Sequence, residues 1–300
     1  MDFLMATPQQ VIATTGPQVP HDRIRAHGYA PVTLPPLASA LGSPAAGVCA
    51  VAHGWAGALL SDESRFAAAV LTTRCDQLRR TFETLRARTR LPLFLLNVPA
   101  THGAETARRL YEEELKRLDR FLDRLGDGPQ GEPVTGLGGT GSASETSTFG
   151  VLRLAPDAAV ARPFCGGFRV GMLACCLTEA DDAVLQMLPL VGLQIAVHAT
   201  EGSVGTPTIG QRPNAPFFAW LRQTSRAAGL EGWIHVRQPW CDLYHAEVPR
   251  MISETALPWL DLETGASPAF ASLRMRAEAF AETLQACRAA ARAPAEGLGR

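Results

Sequence analysis

VLTTRCDQLRRTFETLRARTRLPLFLLNVP (residues 70–99) and HVRQPWCDLYHAEVPRMISETALPWLDLET (residues 235–264) decide the fold. Each reads as an apolar strand, a Cys-Asp pair, an amphipathic helix, then Leu-Pro and a second strand. Cys75 stands 17 residues before Pro92, and Cys241 stands 17 residues before Pro258. A Cys-Asp pair can recur by chance. Its recurrence with Leu-Pro at the same offset marks two copies of one supersecondary unit. Strand–helix–strand units of this kind build a parallel sheet covered by helices on both faces.

The pattern extends outward from both stretches. Upstream and downstream of the first, the chain from Val11 to Leu125 alternates strands with helices, ending in ETARRLYEEELKRLDRFLDRL (105–125). GDGPQGEPVTGLGGTGSASETSTFG (126–150) is rich in Gly, Ser, Thr and Pro and reads as a linker. From Phe168 to Leu284 the alternation resumes: strand 168–177, helix 179–192, strand 193–199, helix 214–230, strand 232–239, helix 242–256, strand 257–263 and helix 267–285. Pro189 and Pro249 weaken two of those helices. The expected architecture is α/β: two doubly wound, flavodoxin-like parallel-sheet domains with a cleft between them. Residues 1–125 form the first domain, with Cys49 and Cys75, and residues 151–300 the second, with Cys241.

The cysteines fall where such folds do chemistry. Open parallel sheets bind ligands beyond the carboxyl ends of their strands. Cys75 and Cys241 both occur there, with Asp76 and Asp242 as natural caps for the following helices. A helix N-terminus offers unpaired N–H groups and partial positive charge, which favour a thiolate. The plainer alternative is that each cysteine only packs at a strand end.

Composition excludes several classes. The 300 residues carry a formal net charge of -1, so no bulk attraction to nucleic acid is expected. No apolar run reaches membrane-spanning length and the first residues lack a secretory signal, so a cytoplasmic protein with no membrane partner is expected. Seven cysteines in a reducing compartment do not form a disulfide framework. Lys116, within a charged helix, is the single lysine, so there is neither a Walker A loop nor a pocket lysine for pyridoxal chemistry. His-Glu-x-x-His and Gly-x-Ser-x-Gly are absent. Gly136, Gly138 and Gly141 match a dinucleotide-binding spacing but lack the strand before and the helix after that the fingerprint requires.

The ordered blocks VIATTGPQVPHDRIRAHGYAPVTL (11–34), VLTTRCDQLRRTFE, LPLFLLNVPAT, LYEEELKRLDRFL, RVGMLACCLTEADDAVLQMLPLVGLQIAVHATEG (169–202), QPWCDLYH and LPWLDLETGASPAFASLRMRAEAF resemble the family of 2-hydroxyacyl-CoA dehydratase and benzoyl-CoA reductase subunits. The resemblance implies a [4Fe–4S] cluster held by three cysteines with one iron open: Cys49 in GVCAVAHGW, Cys75 in TTRCDQ and Cys241 in PWCDLYH. Thiolates suit such clusters. It further implies one-electron, ketyl-type elimination of water from a 2-hydroxyacyl-CoA. The implied partners are a homologous second subunit (or a second copy) and an ATP-dependent activator with its own iron–sulfur cluster.

His245 and His198 are the candidate catalytic residues, with Thr200, Tyr244 and His53 as further polar neighbours. Arg79 and Arg80 could meet CoA phosphates, but a solvated helix face is the reading their setting favours. Cys165, Cys175, Cys176 and Cys287 have no counterpart in the family pattern, and Cys175 and Cys176 read as residues of an apolar strand. The linker replaces a longer helical region near the family's substrate pocket, and HATEGSVGT loses the charged end of a common loop. Alternatives therefore stay open: a low-potential reductase subunit, a non-catalytic structural or electron-relay subunit, or a zinc site on the same three cysteines.

Overall fold

The computed structural model describes residues 10–16, 18–34, 47–101, 104–126, 167–177, 179–200, 212, 214–241, 245–265 and 269–292. The chain divides into two units by its internal contacts. Residues 37–51, Cys49 among them, group with the second unit, whereas 211–213 group with the first. The proposed linker, the glycines at 136, 138 and 141, Cys165, the loop at 201–210, Asp242 and Tyr244 lie outside the described residues.

In the first unit β1 (Val11–Thr14), β2 (Ala30–Thr33), β3 (Ala68–Thr72) and β4 (Leu93–Leu96) form a parallel sheet in the order β2-β1-β3-β4. The chain leaves β1 toward β2 on one side and crosses back to β3 on the other, so the direction of winding reverses between β1 and β3. Every residue of β3 is buried. That explains its unbroken apolar run, since a strand covered on both faces has no polar side to alternate with. Ile24 of α1 (His21–Ala26) and Leu118 and Leu122 of α4 (Glu105–Gly126) pack on one face. Trp55 and Leu59 of α2 (Ala50–Ser61) and Leu85 of α3 (Asp76–Arg88) pack on the other. Each fully buried leucine here stabilises the fold by about 2 kcal/mol.

The second unit repeats this plan. Strands β5 (Phe168–Ala174), β6 (Leu193–Thr200), β7 (Gly232–Arg237) and β8 (Trp259–Glu263) are parallel in the order β6-β5-β7-β8, which is the same topology. Val184 of α5 (Glu179–Met187) and Leu273, Ala277, Phe280 and Leu284 of α8 (Phe270–Arg292) cover one face. Phe217, Phe218 and Leu221 of α6 (Ala215–Ala227) and Met251 of α7 (Val248–Thr255) cover the other. Both units are thus doubly wound and flavodoxin-like. The repeat read from the two Cys-Asp stretches is a repeat of whole topology.

Several boundaries differ from the pattern-based reading, each for a local reason. The strand expected over 168–177 stops at Ala174, so Cys175 and Cys176 stand just beyond it. The helix expected over 179–192 becomes α5 followed by a tighter 3-10 turn, Leu188–Val191, with Pro189 in its first turn and Gly192 closing it at φ 80°. Of the helix expected over 242–256, α7 spans Val248–Thr255, with Pro249 in its first turn, where it has no N–H to leave unpaired. Asp76 is not the cap of α3: Cys75 is, with extended backbone (φ −135°, ψ 160°), and Asp76 is the first helical residue.

Candidate functional site

The two repeated cysteines occupy equivalent places. Cys75 follows β3 and caps α3, partly exposed, with its carbonyl accepting from the Arg79 N–H at 3.3 Å. Cys241 follows β7 and is also partly exposed, packed against the apolar cluster around Trp233. In each sheet the strand in question lies beside the strand where the winding reverses, at the crevice where such sheets place ligands. Cys49 directly precedes α2 and is buried. None of the six described cysteines is in a disulfide. Among the described residues no group of three or more His, Cys, Asp and Glu is arranged so that it could hold a metal ion.

The polar candidates separate. His198 lies on β6 opposite Met172 of β5, on the face toward α5 and α8. Its Nε2 is buried without a hydrogen-bond partner, and burial holds its pKa below the ordinary histidine value. His53, in the first turn of α2, likewise buries an unpartnered Nε2. His245 is exposed. Thr200 ends β6. Arg80 pairs with Asp76 at 2.6 Å on the exposed side of α3, where Arg79 is also exposed, which matches the solvated-face reading. Cys175 and Cys176 hold their sulfurs 3.9 Å apart, and Cys287 is exposed on α8.

Three polar groups escaped the sequence reading. At the carboxyl end of β1 and β2, Thr14 Oγ1 meets His21 Nε2 at 3.0 Å and Thr33 Oγ1 at 3.1 Å, while the Trp55 indole N–H donates to the Thr14 carbonyl at 3.1 Å. Burial, with Arg25 adding to it, keeps His21 below its usual pKa. On β7 and β8, His235 Nδ1 lies 2.8 Å from Asp261 Oδ1, Arg237 Nε donates to Asp261 Oδ2 at 2.8 Å, and Arg237 also pairs with Glu263. Burial pushes the Asp261 carboxyl up, but the bonds from His235 and Arg237 outweigh it and hold its pKa low. Finally, Gln238 is anchored at the base of the turn that carries Cys241, by Asp181 and Thr264. Only Pro239, a turn former, hinted at that arrangement in the sequence.

A pair of flavodoxin-like units with a cysteine at the same strand end of each is the class of protein that fold and site define. Residues 18–127 match the family described as HGD-D: 2-hydroxyglutaryl-CoA dehydratase, D-component. The match runs from the approach to α1 through α4, and the family it names is one component of a dehydratase. The second unit lies outside the match; its strand order repeats that of the first. No curated protein matches the chain.

Among solved structures, unliganded arylmalonate decarboxylase is 13% identical, with 90% of this chain and 93% of that one covered, at a TM-score of 0.23. A variant of the same enzyme in a sulfate-associated form is 12% identical over the same shares, at 0.24. The periplasmic zinc-binding protein TroA from Treponema pallidum is 12% identical, with 94% and 99% covered, at 0.22. Likenesses this distant carry no inference about activity. Among the described residues no helix is long and apolar enough to cross a membrane.

Proposed function

We propose that this chain is an iron–sulfur subunit of a 2-hydroxyacyl-CoA dehydratase-like enzyme, with Cys49, Cys75 and Cys241 as the ligands of a [4Fe–4S] cluster. The observation that carries the proposal is the equivalence of Cys75 and Cys241: same strand, same end, same topology, in a chain whose first unit matches the dehydratase family. The proposed donors suit such a group in kind, since none of the three is in a disulfide and thiolate is the preferred cluster ligand. Bound there, a cluster would supply single electrons and a Lewis-acidic iron, the chemistry needed for ketyl-type loss of water from a hydroxyacyl thioester.

The chain's own residues do the rest. Cys75 sits at the positive end of the 13-residue α3, where free N–H groups favour an anionic ligand. The Asp261 carboxylate, held ionised by His235 and Arg237, keeps a fixed charge on β8 beside the strand that leads to Cys241. His198 is held neutral by its surroundings and has one ring nitrogen uncommitted, so it could donate to or accept from a substrate oxygen. His245, four residues after Cys241 and solvent-exposed, is the second proton carrier of the proposal. The partners proposed are a homologous subunit, an ATP-dependent activator and an acyl-CoA.

Anaerobic purification followed by iron and acid-labile sulfide analysis tests the reading. The expected result is a brown protein with about four iron and four sulfide per chain, and loss of both in Cys241→Ser. A colourless protein loaded with zinc overturns it. If iron binds but neither hydroxyacyl nor aromatic thioesters react in the presence of a competent activator, the chain is the structural or relay half of its complex. Reaction with aromatic thioesters alone makes it a reductase.

A further inference from the structure

The four residues that follow β7 form a turn that is fastened on every side. Cys241 N–H donates to the Gln238 carbonyl at 3.2 Å, which closes Gln238–Pro239–Trp240–Cys241 as a β-turn with proline in its second position. Trp240, in the third position, has φ +65°, the left-handed region that such a turn normally gives to glycine. Trp240 is 55% exposed, so little burial offsets that conformation.

What holds the turn lies beneath it. Gln238 is 1% exposed, and its Nε2 donates to Asp181 Oδ2 at 3.0 Å and to Thr264 Oγ1 at 3.1 Å. Asp181, in the first turn of α5, is fully buried. Thr264, just past β8, donates its N–H to the Arg237 carbonyl at 3.0 Å. Gly265, with φ +64°, lies close under Pro239: a Cβ there would stand 3.2 Å from Pro239 Cγ. Elements from three parts of the unit therefore converge on a four-residue turn whose last member is Cys241. A strand needs none of this merely to end. A fully buried carboxyl group is costly to place, and a bulky residue at positive φ costs about 1–3 kcal/mol, so both persist only where the surroundings over-determine them.

We propose that Asp181 is a positioning residue for Cys241, fixing through Gln238 the direction in which the turn presents the thiol. This rests on the reading that Cys241 ligates the cluster. Asp181 touches neither cluster nor substrate in this role. Its carboxyl group sets where Gln238 sits, Gln238 sets the turn, and the turn aims the sulfur.

The test uses the full chain and reads the thiol directly, without metal. Alkylation of Cys241 by iodoacetamide is followed by peptide mass spectrometry, with exposed Cys287 on α8 as reference in the same molecule. Asp181→Ala is expected to change the Cys241 rate about tenfold through local opening of the turn, with the Cys287 rate unchanged. Asp181→Asn, which keeps an oxygen to accept from Gln238, is expected to stay within about twofold of wild type. Thr264→Val removes the other bond to Gln238 and gives a change in the same sense should Asp181→Ala fold poorly.

Iron content after anaerobic reconstitution is expected to fall in Asp181→Ala and to recover in Asp181→Asn. Unchanged Cys241 reactivity in a folded Asp181→Ala protein overturns the proposal. So does an equal change at Cys287, which would signal general loosening. If wild type binds no iron while Cys241 still responds to Asp181, the positioning role stands and the cluster reading falls.

Discussion

Gly171→Ala separates side-chain crowding from backbone preference in the second unit. Gly171 lies in β5, paired with Trp233 of β7, next to the bulge that shifts the register of β5 against β6. A methyl added there would stand 2.5 Å from Trp233 Cε3 and Cζ3 and 2.8 Å from Leu230 Cδ1. Trp233 cannot move aside. It is fully buried, donates from its indole nitrogen to Ser225 Oγ at 2.8 Å, and stacks on Trp259 with ring centroids 5.6 Å apart. In an open strand the change would stabilise by about 0.5–1 kcal/mol, since glycine loses the most freedom on folding. Forcing a methyl into a packed core costs about 1–3 kcal/mol. The crowding term wins, and a net loss of about 1–2 kcal/mol is expected. Urea unfolding followed by tryptophan fluorescence measures it, because Trp233 and Trp259 report on this core. Leu230→Ala in the same background should recover part of the loss, a coupling of about 0.5–1 kcal/mol in the double-mutant cycle. A Gly171→Ala protein as stable as wild type, or more so, would refute the argued packing of β5 against β7.

Two further outcomes follow from the same geometry. Trp240→Gly and Trp240→Ala both remove the indole, but only alanine keeps a Cβ at φ +65°; the glycine variant should be the more stable of the two by about 1 kcal/mol in urea midpoint measurements, and equal stabilities would contradict the left-handed turn. His21 and His198 have folded pKa values below the ordinary 6.5, so the unfolded chain binds protons more readily than the native one. Their contribution to stability is full above about pH 6.5 and is lost as the pH falls from there through the lowered native values. Midpoints measured between about pH 7.5 and 5 should decline, and His198→Gln should flatten the decline; a slope that the substitution leaves untouched would assign it to other groups.

The fold was legible because burial on both faces writes itself into sequence. β3, with every residue inside, is an uninterrupted apolar run, and the amphipathic α3 and α4 announce their periods. The repeat of Cys75 and Cys241 at a common offset was legible for the same reason, since duplicated structure keeps its spacing. What failed to show were pairings across strands. Asp181 and Gln238 are 57 residues apart and meet only because β5 and β7 are neighbours in the sheet. His235 and Asp261 face each other through the register of β7 on β8. Asp181 read in sequence as one acid among several in EADDAVLQM, with nothing to mark it as the buried one. Cys175 and Cys176 looked like strand interior because apolar character continues past Ala174, whereas the ladder does not.

The duplication also gives a reason for the proposed ligand number. Cys75 and Cys241 follow corresponding strands, β3 and β7. Cys49 immediately precedes α2, the helix that enters β3 in the first unit; its counterpart before α6, which enters β7 in the second, is Asn214. The repeat therefore offers two pairs of corresponding positions, Cys75 with Cys241 and Cys49 with Asn214, and cysteine fills three of the four. The fourth is committed elsewhere: Asn214 is nearly buried, donates from Nδ2 to Glu247 Oε1 at 2.9 Å and accepts from Arg250 at 3.3 Å, which ties the start of α6 to α7. A side chain so engaged is structural, and its amide is a poor ligand for iron beside thiolates. Under the proposed function, three thiol ligands would leave one iron of a cubane without a protein ligand. That open iron is where a substrate oxygen would have to bind.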